Sequence, residues 1–173
     1  MKKHLLPPAV LLILSAAALF AMVKTDYSHS TDFGRYRTYS WISVKAGDSL
    51  WQDRITQAVD SQLSAKGWSK VPSGGDASVA AVGATHNQEN LQTFYDGFGG
   101  WGWRGFGDGL ATTTVQNVAV GTLMVDLFDS QTKKLIWRGT SSETLSEKSD
   151  KNEKKLEKSV DEMFKHFPPP SRG

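Results

Sequence analysis

The sequence predicts an α+β fold: an antiparallel or mixed β-sheet with two amphipathic helices packed on one face. Three observations predict it. Several stretches are rich in β-branched and aromatic residues, the composition of strands. Two segments, residues 49–66 and 153–167, space their apolar residues by three and four, as a helix with one buried face requires. The strands come in runs and do not alternate one for one with helices, which disfavours a doubly wound parallel sheet.

The chain opens with Lys2, Lys3 and His4, continues through apolar residues 5–20, and reaches small residues at Ala16, Ala17, Ala18 and Ala21. That order is the basic, apolar and cleavage region of a secretory signal, so residues 1–21 read as a signal peptide. After Pro7 and Pro8 the apolar run, residues 9–23, contains only Ser15 as a polar interruption. It is shorter than the roughly 18 to 20 residues that cross a bilayer, so cleavage is expected rather than retention as an anchor. Residues 22–170 then form one domain of ordinary size.

Charge and cysteine narrow the classes further. Of 20 basic residues against 18 acidic ones, Lys2 and Lys3 lie in the signal, which leaves equal numbers of each sign. A balanced chain offers no electrostatic attraction to nucleic acid. Cysteine is absent, so no disulfide can form in an oxidising compartment and burial must hold the fold. Leu19-Phe20-Ala21-Met22 has the rhythm of a lipoprotein cleavage site, but Met22 stands where a lipid-bearing thiol is needed. The expected location is the periplasm, with no lipid anchor.

Residues 23–28 and 37–42 read as strands, separated by a turn at Ser30-Thr31-Asp32-Phe33-Gly34 whose polar side chains can bond their own backbone. In residues 49–66, Ser49 and Gln52 are placed to cap the helix start and Gly67 to end it. The buried stripe is Trp51, Ile55, Ala58, Val59 and Leu63. Residues 72–76 (Pro-Ser-Gly-Gly-Asp) break the chain, and the small residues of 77–85 suit a central strand beneath a helix. Residues 112–129 and 135–144, joined by polar residues 130–134, form the clearest hairpin. Residues 153–167 place Leu156, Val160, Met163, Phe164 and Phe167 on one helical face, ended by Pro168, Pro169 and Pro170.

Several landmarks recur in this order: Val23-Lys24-Thr25-Asp26-Tyr27, Asp32-Phe33, Tyr36-Arg37-Thr38-Tyr39-Ser40-Trp41, Ala65-Lys66-Gly67-Trp68, Gly121-Thr122-Leu123 through Asp129, and Leu135-Ile136-Trp137-Arg138-Gly139. Together they resemble the bacterial domain of unknown function numbered 4136, over nearly all of the chain after the signal. The resemblance implies an α+β domain in exported envelope proteins, many of them lipoproteins, and supplies no catalytic residue to carry over. Met22 departs from the lipoprotein pattern.

Residues 94–109, Phe-Tyr-Asp-Gly-Phe-Gly-Gly-Trp-Gly-Trp-Arg-Gly-Phe-Gly-Asp-Gly, are the candidate contact loop. The simplest reading is a glycine-rich excursion between strands with no ligand. A second makes it a surface for an envelope protein or glycan, with Phe98, Trp101, Trp103 and Phe106 stacking while Arg104 or Asp108 hydrogen-bonds. A third is contact with the membrane headgroup region, which Trp and Tyr favour. The Gly-x-Gly-x-x-Gly matches at Gly97/Gly99/Gly102 and Gly100/Gly102/Gly105 do not open a helix, as a nucleotide fingerprint must.

No catalytic, cofactor or metal site is predicted. His29, His86 and His166 stand too far apart to show a metal spacing. There is no Gly-x-Ser-x-Gly elbow, and Ser141, Ser142 and Ser146 read as solvated residues at a strand end. The mixed charges of residues 143–158 read as an exposed linker. Trp41, Trp68 and Trp137 read as core, and Trp51 remains open between core and surface. The function expected is therefore a non-enzymatic envelope module for binding or assembly. Its alternative is an envelope enzyme whose site is assembled only by folding.

Overall fold

A computed structural model describes residues 22–87 and 119–170. Along the chain these form β1 (Met22–Tyr27), a 3-10 turn η1 (Phe33–Arg35), β2 (Thr38–Lys45), α1 (Ser49–Ala65), β3 (Ser69–Lys70), β4 (Ala77–Asn87), β5 (Ala119–Asp129), β6 (Leu135–Thr144) and α2 (Ser149–Phe164). The strands make one sheet in the order β1-β6-β5-β4-β2-β3. Pairing is antiparallel from β1 to β4 and parallel where β2 meets β4 and β3. The sheet is thus mixed and the fold α+β. The two-residue β3 is too short to leave a periodic signature in sequence.

Alternation along each strand sorts its side chains between two faces. Tyr27, Trp137, Leu127 and Val79 are joined in one register across β1, β6, β5 and β4, and they share the face on which both helices lie. Across that face α1 and α2 meet through Arg54–Glu153 at 3.3 Å and Gln62–Asp161 at 3.2 Å. On the other face Asp126 receives both Arg138 Nε and Nη2, at 2.6 and 2.7 Å, a bidentate pair of the stronger kind.

The helix starts differ from expectation in an instructive way. Asp48, not Ser49, caps α1: its carboxylate accepts from the Trp51 N–H at 2.9 Å while its own backbone is extended. Both residues are good caps, and a one-residue choice between them depends on where the chain leaves β2. At the other end Gly67 takes φ +83°, the left-handed conformation that glycine adopts without penalty. Helix α2 begins at Ser149, inside the charged run expected to be a linker. The Asn152 side chain accepts from Ser146 N at 2.7 Å and donates to Ser146 O at 2.8 Å, which fixes the entry of the chain. The helix ends at Phe164, so Phe167 lies beyond it rather than on its face.

Phe167 is nonetheless the centre of the core. Its ring lies 5.7 Å from Phe33, 5.3 Å from Trp68, 5.4 Å from Trp137 and 5.4 Å from Phe164, centroid to centroid. All are within the range of favourable edge-to-face packing. Tyr36 stacks on Trp68 at 5.7 Å and Trp137 packs on Phe164 at 4.7 Å. Trp137 and Trp68 are buried as expected, whereas Trp41 is half-buried against the same core. Gly139 permits the close approach of α2, because a Cβ there would lie 2.6 Å from the Trp137 ring and 3.0 Å from Met163 Sδ.

Truncating Phe167 or Trp137 to alanine is expected to cost about 3–5 kcal/mol through the cavity left behind, measured by denaturant melts. Asp48→Ala is expected to cost about 1 kcal/mol and Ser49→Ala under about 0.5 kcal/mol, in the same assay.

Candidate functional site

A cleft of about 630 Å³ opens between the early turns of α1, the helix α2 and the ends of β4, β5 and β6. Its walls are Trp51 and Ile55 from α1, Leu123 from β5, Leu145 beyond β6, and Leu156 from α2. Gly83 and Gly121 form part of its lining. A Cβ on Gly83 would meet Ile55 Cδ1 at 2.8 Å, and one on Gly121 would meet Leu145 Cδ2 at 2.7 Å. Side chains there would push those wall residues into the cleft. This volume is that of an ordinary small-molecule site, in which apolar walls surround a few polar groups.

The polar groups fall into two sets. Ser141 of β6 and Ser159 of α2 line the cleft, although the residues are only 4% and 2% exposed. Neither hydroxyl bonds to another described residue, and each Oγ stays open to the cleft. Asp48, Glu143, Asn152 and Lys155 add charge and an amide to the lining. Lys155 Nζ donates to Thr144 O at 2.6 Å and sits 3.7 Å from Glu143. Trp51 carries the Arg54 guanidinium over its ring at 4.9 Å.

The remaining carboxylates that gather partners do so for structure. At the β5–β6 turn, Asp129 Oδ1 accepts from Thr132 N at 2.7 Å, Thr132 Oγ1 at 2.9 Å and Gln131 N at 3.1 Å. Its other oxygen accepts from Tyr36 Oη at 2.8 Å and Arg35 at 3.3 Å. The Thr132 N–H, followed by the Tyr36 hydroxyl, holds the Asp129 carboxyl down at about 2, while burial and this bond push Tyr36 up to about 12. Asp76 accepts from Arg37 N, Thr38 N and Thr38 Oγ1, each at 2.9 Å. The Arg37 N–H leads the donors that lower its pKa. Asp60 takes Tyr39 Oη, Trp41 Nε1 and Lys70 Nζ, each at 2.8 Å, and so ties α1 to β2 and β3.

The candidate contact residues Phe98, Trp101, Trp103, Arg104 and Phe106 lie outside the described residues, as does the signal segment 1–21. Sequence reasoning placed Ser141 in solvent. The structure buries it, because β6 continues to Thr144 with its odd-numbered positions facing the helices. It likewise placed Glu143 and Lys155 in a solvated linker, whereas they pair across β6 and α2. Trp51 is half-buried at the cleft wall. His29 stacks edge-on against Tyr27 at 4.5 Å. Among the described residues no group of three or more His, Asp or Glu could hold a metal ion.

The architecture defines a class: a mixed six-stranded sheet with two helices on one face and a cleft between them. The chain belongs to the DUF4136 family, "Domain of unknown function (DUF4136)", whose model matches residues 23–169. A DUF4136 family protein from Bacteroides thetaiotaomicron shares this fold with TM-score 0.55 and 15% identity, over 86% of this chain and 96% of that one. A PDZ domain protein from Parabacteroides distasonis has TM-score 0.61 and 14% identity over 88% of this chain. The chain spans about a third of that protein's length, 36%. No curated protein matches the sequence. At these identities the likeness is one of fold.

Asp129 yields a signed pH dependence. Its folded carboxyl lies near 2, below the ordinary 3.8, so its stabilisation is present above about pH 4 and lost as pH falls toward 2. Asp129→Asn is expected to melt at a lower temperature than wild type at pH 7. The gap should narrow in melts run from pH 4 down to 2.

Proposed function

We propose that this protein is exported to the bacterial envelope and acts there as a non-enzymatic module for binding or assembly, with the cleft between α1 and α2 as its binding site. The observation that carries this reading is the cleft itself. It is of ligand size, walled by apolar side chains, and provided with two serine hydroxyls that open onto it. Membership of DUF4136 supports the envelope setting, and so does the order of basic, apolar and small residues at the chain start. Among the described residues no helix is long and apolar enough to cross a membrane. The hydroxyls of Ser141 and Ser159 have no base bonded to them, which fits binding better than nucleophilic chemistry.

A ligand that binds only the folded state raises the melting temperature. An envelope extract is expected to raise that of the wild-type protein by several degrees and to leave Ser159→Leu, whose cleft is filled, unchanged. Equal shifts in the two proteins would place binding elsewhere. Replacement of residues 97–109 by a short Gly-Ser linker provides the comparison for the aromatic segment. N-terminal sequencing and intact mass of protein purified from the envelope are expected to show a start between about Ala18 and Met22, without acylation. A chain still beginning at Met1 in the membrane fraction would overturn the export reading.

A further inference from the structure

We propose that the cleft is a saccharide site that takes one uncharged sugar unit, with its hydroxyls on Ser141 and Ser159 and its C–H face on the apolar wall. This deepens the binding-module reading and rests on it.

The two serines carry the argument. They belong to different elements, β6 and α2, yet line the same cleft from buried positions, and neither hydroxyl is bonded to another group among the described residues. A ligand that covers these hydroxyls shuts them off from water, and a covered hydroxyl without a partner is penalised. A hydrocarbon chain in the cleft would leave both in that state. A ligand with its own hydroxyls, each able to donate and accept, satisfies them. The rest of the lining fits the same molecule. Asp48 and Glu143 add carboxylate acceptors. Only Asp48 Oδ1 is engaged in capping α1. A sugar also presents C–H surface, which Leu123, Leu145, Leu156, Ile55 and the indole of Trp51 are placed to cover.

Charge decides between neutral and ionised ligands. The lining holds both signs, and Glu143 and Lys155 already face each other at 3.7 Å. The serine hydroxyls cannot balance a net charge, and burying one unpaired is costly. A neutral sugar avoids that cost. The volume of about 630 Å³ lies within the range of small-ligand sites.

The test uses the mature protein and four probes: glucose, N-acetylglucosamine, its β-1,4-linked tetramer, and laurate as the hydrocarbon rival. NMR titration follows the backbone amides of Gly83 and Gly121 and the indole N–H of Trp51, and calorimetry supplies Kd. A sugar is expected to shift these three signals together. Ser159→Ala and Ser141→Ala should each raise its Kd roughly three- to tenfold, the loss of one hydrogen bond. Ser159→Leu should abolish binding. If Ser159→Leu does not fold, the alanine variants, which only remove an oxygen, carry the test.

Sugar binding that is unaffected at both serines would overturn the proposal. Laurate bound at these residues with no response to any sugar would overturn the sugar assignment and leave the cleft a binding site. No response to any probe, together with equal stabilisation of wild type and Ser159→Leu by envelope extract, would overturn both readings.

Discussion

A sheet covered by helices on one face must fasten them there, and in this protein the fastening converges on the ring of Phe167. Four aromatic rings surround it, contributed by η1, by the exit from α1, by β6 and by the end of α2. None of those stretches is close to all the others in sequence. The ring therefore closes the chain on itself: the last helix is held against the sheet, and the segment before β2 is held against the last helix. Gly139 makes the arrangement feasible by letting Met163 and the Trp137 ring come as close as they do.

The cleft follows from the same geometry. Near Phe167 the helices and the sheet are drawn together by large rings, and the residues facing the sheet are Val160, Met163 and Phe164. Toward the start of α2 the facing residue becomes Ser159, and the strands beneath present Ser141, Gly83 and Gly121. Small residues at one end of a layer packed by large ones leave volume there. Three carboxylates that hold the fold lie away from this volume. Asp129 and Asp76 bind turns, and Asp60 binds α1 to β2 and β3, whereas Asp48 and Asn152 fix helix starts and line the cleft as well.

The sequence made the class of fold legible because each long element carries its own pattern. The stripe of α1 and the alternation in β5 and β6 are local, and they appear where they were expected. What depended on another element was misread. Ser141 looked exposed because its neighbours are polar, and only the register of β6 beneath α2 shows it facing inward. Phe167 looked helical because it falls on the stripe, yet the helix ends three residues earlier. The cap of α1 was read one residue late, at Ser49 rather than Asp48, since either residue type suits the position. The cleft had no signal at all, since Gly83, Gly121, Ser141 and Ser159 meet only through pairing across the sheet and packing of α2.

The pairing of β4 with β5 has a further consequence. Their register runs unbroken to Asn87 opposite Ala119, so the chain departs from and returns to the same rung of one ladder. Closing a longer excursion from such a gate adds only about 0.6 kcal/mol per doubling of its length. Lineages are thus free to lengthen, shorten or rewrite what lies between these two residues while the scaffold below is inherited intact. The fold is in this sense a chassis with a port between β4 and β5, where a change of length costs little folding stability.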